Sequence, residues 1–329
     1  MPRRPVSGVL LLDKGLGESS NQALQHIKRL YRAEKTGHTG TLDPLASGLL
    51  PLMFGEATKF AADLIDADKT YEARLRLGFS STTGDAEGVL TAVPFGQASQ
   101  LTLAQLQGVA QGMLGEQEQV PPMFSALKKD GKPLYEYARQ GVEVERKARS
   151  IHIHRMDVTE LTNTDGHHEV VLSVTCSKGT YVRTLAEDFA GRLGTSAYLT
   201  GLRRTGIGAL SVAQAYTVGQ LKSNEGDFDA LDALLSPVDA LLSSLPALHL
   251  DAALAKRFSH GQRVPVGEVM NMSAMRSGRV RVYASQQTGA GEMNGSDGQA
   301  PSVFMGTGNL ETDGRGGLLR PERLIQGIL

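Results

Sequence analysis

Along the first thirty residues the apolar positions change period once. Gly8-Val-Leu-Leu-Leu-Asp13 is a short continuous apolar run rich in strand formers. After Lys14-Gly-Leu-Gly17, residues Leu24, Ile27, Leu30 and Tyr31 recur at helical spacing, which sends Lys28, Arg29 and Arg32 largely to the other side. Ser19-Ser20-Asn21 stands where a helix cap belongs. The pattern predicts strand, turn, capped helix. A loop then runs from Thr36 to Gly48 into the apolar Leu49 to Phe54. Lys69 to Leu77 alternates polar and apolar as a half-buried strand does, and so does Ser150 to Met156. Glu169 to Cys176 is rich in β-branched residues, and Val182, Leu185, Ala186, Phe189 and Leu193 mark a helix. Without a regular βαβ repeat, the mixture predicts an α+β fold around a largely antiparallel sheet.

The pattern changes near residue 245. Ser223 to Ser244 holds five acids, with Pro237 within it and Pro246 just after it, which reads as a boundary. Beyond it lie short strand candidates, Arg279 to Tyr283 and Val303 to Met305, separated by Gly/Ser/Asn-rich loops such as Gln286 to Pro301. The expected division is 1–245 and a small β-rich domain at 246–329.

Composition narrows the classes. The 329 residues are 40% apolar and 21% charged, enough for a sizeable core. No apolar run is long enough to span a membrane, and the basic start leads into a strand, so neither a membrane span nor a secretion signal is expected. A lone cysteine, Cys176, leaves no disulfide framework within the chain and fits a cytoplasmic location. Net charge is -1, yet residues 1–35 carry seven Lys/Arg against three acids, so local basic surfaces remain open. His152 and His154 lie two apart on one strand face and His167-His168 fall in a loop, with no carboxylate or cysteine to complete a ligand set; no metal is assigned. Asp13 to Ser20 lacks the order of a Walker loop.

The densest chemistry lies at Gly37 to Gly48. Glycines let backbone approach a ligand closely, and Pro44 fixes the chain direction after Asp43, which would present the carboxylate rigidly. The residues alone equally allow Asp43 to make an Asx-turn or to cap a helix starting at Pro44.

Gly37-His-Thr-Gly-Thr-Leu-Asp-Pro-Leu-Ala-Ser-Gly-Leu-Leu50 resembles the catalytic motif of the TruB family of tRNA pseudouridine-55 synthases. Gly8 to Lys14 with Ser19-Ser20, Gly55 to Lys59, Lys69-Thr-Tyr71, Tyr135 to Gly141 and Cys176 to Arg183 resemble further family segments in the expected order. One departure is Lys14-Gly15, where the family usually has Lys-Pro.

The resemblance implies a pseudouridine-synthase catalytic domain with an insertion at about 95–149 and a PUA-like RNA-binding domain at the C-terminus. It implies isomerisation of uridine 55 in the T-loop of tRNA by base flipping. The reaction breaks the sugar bond to N1 and remakes it at C5 without change of formula or oxidation state, so no cofactor is expected. It needs an ionised carboxylate at the sugar, as nucleophile or base. Asp43 is that carboxylate by resemblance, with Arg183 holding its charge. Tyr71 and Tyr181 are expected at the pocket, stacking on the flipped base, with Tyr71 assisting proton removal at C5. His38 is expected to fill space left by flipped bases and Leu202 to line the pocket. Lys14, Lys128, Lys129, Arg203 and Arg204 are the expected phosphate contacts. The insertion points to a stand-alone monomer with no obligatory protein partner. The rivals are a non-catalytic RNA chaperone and a guide-dependent relative working with partner proteins.

Overall fold

β1 (Gly8–Lys14) is buried along nearly its whole length, as a continuous apolar run requires of a central strand. The computed structural model that places it describes residues 2–93, 101–164, 167–266, 276–285, 302–312 and 317–326. β1 pairs antiparallel with β3 (Ala46–Phe54), from Gly8 opposite Phe54 to Lys14 opposite Gly48. β2 (Thr36–His38) lies along the other side of β3's end. Between them α1 (Ser20–Leu30) starts with a capping box, Ser19 and Gln22 each satisfying the other's backbone N–H. Its Ala23, Leu24, Ile27 and Leu30 pack on Leu10, Leu12, Leu50 and Leu52.

β1 and β3 belong to a ten-stranded sheet. Its order runs Tyr216–Thr217, β1, β3, Ala197–Ile207, β4 (Lys69–Leu77), His167–Cys176, Arg149–Thr164, Gly115–Gln119, with β2 and Leu210–Ser211 paired off this path. Two neighbouring pairs are parallel, β1 with Tyr216–Thr217 and β3 with Ala197–Ile207; the others are antiparallel. The helix Val182–Gly191 buries Leu185, Ala186 and Phe189 against this sheet, beside Leu106 and Ala110 of the helix Leu103–Gln111. Within the segment expected as an insertion, that helix and the strand Gly115–Gln119 are thus part of the main core and sheet.

Several elements differ from their sequence reading. The strand expected at Ser150 to Met156 runs from Arg149 to Thr164, because register shifts at Ile153/Arg155 and Val158/Glu160 break the two-residue period while the pairing continues. His167 and His168 stand in a strand, opposite Thr164 and Asn163, so cross-strand pairing overrides the loop reading. The acidic stretch read as a boundary is packed. Asp227 caps the helix Phe228–Asp232, Asp232 pairs with Arg4 at 2.6 Å, and Leu241 and Leu242 are buried beside Val9 and Leu11.

The C-terminal part is a separate β-rich domain. Its five-stranded sheet runs Ala247–Leu250, Gly278–Ser285, Ser302–Thr312, Gly317–Leu324, Val264–Val266 around its own core of Leu250, Phe258, Val282 and Leu319. It docks on the catalytic part through Phe304 against Phe60, Asp63 between Arg279 and Arg323, and Lys59 Nζ donating to Leu324 O at 2.8 Å. The loop Gln286 to Pro301 lies outside the described residues. Among those residues no helix is long and apolar enough to cross a membrane.

Candidate active site

The loop carrying Asp43 is pinned on three sides. Ser20 Oγ, at the start of α1, accepts from Leu42 N at 2.8 Å and donates to Leu42 O at 3.0 Å. Gly17 N, in the turn after β1, donates to Pro44 O at 2.9 Å. Ala46 N donates to Asp43 O at 3.0 Å, closing a turn around Pro44 that passes directly into β3. No helix starts at Pro44, so the capping alternative falls away.

Two motif glycines answer to a buried arginine. β3 enters the sheet parallel to Ala197–Ile207, with Ala46 opposite Leu202 and Gly48 opposite Arg204. Gly48 has φ +100°, and a Cβ there would stand 2.2 Å from Arg204 O. Gly40, at φ +68°, leaves room for the Arg204 guanidinium, which donates to Gly40 O at 2.7 Å and, through Nε, to Leu49 O at 2.8 Å. Arg204 is 1% exposed, so it braces the loop from inside and presents no free cation to an RNA phosphate.

Lys14 behaves the same way. It is fully buried, and its Nζ donates to Gly15 O and Glu18 O at 2.8 Å each. Burial, the leading cause, pulls its pKa down. The ammonium ties down the carbonyl of Gly15, where the family's proline would stiffen the turn. The phosphate contacts expected of Lys14 and Arg204 therefore give way to structural bracing. Arg203 is engaged by Asp13 at 2.9 and 2.7 Å, whereas Lys128 and Lys129 stand exposed on a short hairpin.

Asp43 meets its cation across the cleft. Arg183, on the first turn of the Val182–Gly191 helix, is 8% exposed, and its Nη2 lies 3.1 Å from Asp43 Oδ2. Nη2 also donates to Phe124 O at 2.7 Å and Nη1 to Thr83 O at 2.9 Å. Nη1 lies 3.5 Å from Asp85 Oδ2, a buried carboxylate that accepts from Thr83 Oγ1 at 2.5 Å and from Glu87 N at 3.1 Å. Asp85, Thr83 and Phe124 escaped the sequence reading. The one local signal was Thr82-Thr83-Gly84-Asp85, a run of turn formers ending in an acid.

A cleft of about 220 Å³ opens at this pair, lined by Asp43, Tyr71, Ser125, Tyr181, Arg183 and Leu202 among others. Tyr71 sits on β4, opposite Arg204 in the next strand. Burial raises the pKa of its phenol, and the Arg204 cation opposes that. Tyr181 is raised likewise by burial, with Ser125, Arg149 and Arg183 opposing. Both phenols are protonated near neutrality. Gln119 holds Tyr181 in place by pairing with both its N–H and its carbonyl, at 2.8 and 3.2 Å.

Five expected site residues thus converge: Asp43, Tyr71, Tyr181, Arg183 and Leu202. His38 lies outside this lining, on β2 opposite Leu52, where burial and then Arg204 lower its pKa and favour the neutral ring. The His152 and His154 rings lie 4.5 Å apart in a tilted arrangement, with His154 Nε2 3.2 Å from Asp68 Oδ2. Among the described residues no group of three or more His, Cys, Asp or Glu is placed to hold a metal ion.

Comparison with known proteins bears on the whole chain. Residues 28–182 match the family model for the N-terminal domain of TruB family pseudouridylate synthase, residues 183–243 that for the tRNA pseudouridylate synthase B C-terminal domain, and residues 246–325 that for the C-terminal region of pseudouridine synthase II TruB. A tRNA pseudouridine synthase B of Burkholderia mallei is 53% identical over 310 residues, covering 94% of this chain and all of the relative. One from Cupriavidus taiwanensis is 50% identical over 331 residues, covering 99% and 96%. Among solved structures, a chain of a Cbf5-Nop10-Gar1 complex superposes with TM-score 0.69 at 21% identity, covering 96% of this chain and 84% of that one. A chain of an H/ACA RNP bound to a substrate RNA containing 2'-deoxyuridine does so with TM-score 0.69 at 20% identity, covering 97% and 85%. At such identity the likeness is one of fold.

Proposed function

The chain belongs to the TruB family and is a tRNA pseudouridine synthase, and we propose that it isomerises uridine 55 in the T-loop, with Asp43 as the acting carboxylate. The observation that carries this reading is the Asp43–Arg183 pair at 3.1 Å inside a cleft that also holds two tyrosines.

Each part has a physical task. The target base leaves its stack and enters the cleft, where Tyr181 and Tyr71 offer aromatic faces and Leu202 an apolar wall. Arg183 balances the Asp43 charge and fixes its direction, so the carboxylate can attack the anomeric carbon or take a sugar proton. The bond to N1 breaks, the base turns, a bond forms at C5, and the proton lost from C5 is balanced by one taken up at the freed N1. Since burial keeps the Tyr71 phenol protonated, Tyr71 can serve that last step as a relay, its oxygen taking the C5 proton as its own proton passes to solvent at the cleft mouth, from which N1 is protonated. Formula and oxidation state are unchanged, so the reaction needs no cofactor.

Unstacking the base costs a few kcal/mol, recovered through contacts elsewhere on the RNA. The exposed Lys128 and Lys129 supply such contacts, and the C-terminal domain offers a second surface. We place the chain in the cytoplasm, acting as a monomer without an obligatory protein partner.

The test is to incubate the purified chain, with no cofactor, with an unmodified tRNA transcript and to map pseudouridine by carbodiimide-blocked reverse transcription. A single stop in the T-loop is expected. Tight binding without modification would favour the chaperone or partner-dependent reading.

A further inference from the structure

Ser125 lines this cleft and has no part in the reaction as described so far. It is 5% exposed and lines the same cavity as Asp43, Tyr181 and Arg183. Its backbone is fully engaged: Ser125 N donates to Met123 O at 2.9 Å and Tyr135 N donates to Ser125 O at 3.1 Å. Its hydroxyl is buried with no hydrogen-bond partner. The Tyr181 phenol lies near enough for the serine to influence it, but no bond of good geometry joins the two.

A buried hydroxyl left unpaired costs stability in the free protein, and native structures keep few of them. The unpaired buried atoms of the catalytic motif, His38 Nδ1 and Thr39 Oγ1, belong to residues outside the cleft lining, whereas Ser125, whose Oγ is buried, is one of the lining residues. The hydroxyl is also held still. Its neighbour Phe124 is tied through its carbonyl to Arg183, and Pro121 O accepts from Arg146 at 3.2 Å. A hydroxyl can rotate to donate or accept. The charged groups of the cleft, Asp43 and Arg183, are paired to one another, which leaves a fixed, neutral hydroxyl near the Tyr181 phenol without a hydrogen-bond partner.

We propose that the Ser125 hydroxyl hydrogen-bonds the polar edge of the flipped uracil ring and sets its register against Asp43. The inference rests on the reading of the Asp43 cleft as the uridine site. It gives the segment around Phe124 and Ser125 two adjacent roles, one carbonyl orienting Arg183 and one hydroxyl meeting the substrate.

Ser125→Ala and Asp43→Asn are compared with the unaltered chain for single-turnover pseudouridine formation, tRNA affinity by filter binding, and melting temperature. For Ser125→Ala the rate should fall roughly tenfold, the worth of one hydrogen bond made in the reacting complex. Affinity for tRNA should stay within about twofold, since most of it comes from phosphate contacts. The melting temperature should hold or rise, because no bond of the free protein is lost. Ser125→Ala at the unaltered rate while Asp43→Asn is inactive would overturn the role of Ser125 alone. Full turnover in Asp43→Asn would overturn the site and the serine's role with it. A rate loss matched by a fall in melting temperature would show a structural serine instead.

Discussion

Arg183 Nη2 stands 3.1 Å from Asp43 Oδ2 while it donates to Phe124 O at 2.7 Å, so one nitrogen ties the Asp43 carboxylate to the segment on the far side of the cleft. A lysine ammonium has the charge but not the planar fork needed to meet Asp43, Phe124 O and Thr83 O together. Arg183→Lys should lower single-turnover pseudouridine formation by roughly a hundredfold or more, with tRNA affinity nearly unchanged. Activity close to that of the unaltered chain would mean that charge alone is required.

Asp85 is the second carboxylate on the same guanidinium and is almost fully buried. Asp85→Asn keeps the shape but leaves Arg183 partly uncompensated, so denaturant titration should show a loss of roughly 2 kcal/mol. Turnover should fall as well, because Arg183 loses one of its anchors. If turnover is untouched, Asp85 serves stability only.

Gly48→Ala should be among the most damaging small substitutions. It combines φ +100° with a Cβ 2.2 Å from Arg204 O, and should cost roughly 3 kcal/mol or more. Gly141→Ala, at φ +69° with nothing within 4 Å, is the comparison and should cost about 1 kcal/mol. Equal melting-temperature losses would show that the Arg204 contact is unimportant.

Cys176 is 1% exposed, and burial pushes its thiol up from 9.0 to about 11. The unfolded chain therefore ionises first. The stability tied to the neutral thiol is complete below the unfolded value and is lost as pH rises toward the folded one, on the order of 2 kcal/mol. Unfolding free energies across that window should decline less steeply for Cys176→Ala than for the unaltered chain; parallel curves would rule the thiol out.

Affinity for tRNA should fall as salt rises, since phosphate contacts release counterions. Replacing both Lys128 and Lys129 with alanine should reduce the slope of log affinity against log salt by about two. An unchanged slope would move the contact surface elsewhere.

Much of this was legible locally. The strand, turn and capped helix of residues 8–30 follow from a change of apolar period and a serine at the cap, both short-range properties. The Lys69–Leu77 strand follows from clean alternation, and it is the position of Tyr71 on it that faces the cleft. Asp43 stood out because glycines and a proline crowd around it, and the resemblance named Arg183 and Tyr181 beside it.

What the sequence by itself determined, then, was the type and order of elements and the chemistry of one loop. The tertiary structure decided which side chains share a cavity and which charges face water. Arg183 reaches Thr83 and Phe124 from 100 and 59 residues away, and Arg204 reaches Leu49 across 155. Lys14 and Arg204 are expected from the sequence at RNA phosphates, a role that needs exposed cations, and charged residues usually face water. Arg204 is buried because the parallel pairing of its strand with β3 brings the distant carbonyls of Leu49 and Gly40 to its guanidinium. Lys14 is buried at the end of β1 with its ammonium on the Gly15 and Glu18 carbonyls of the turn that follows, which is local in sequence but takes its shape only in the fold.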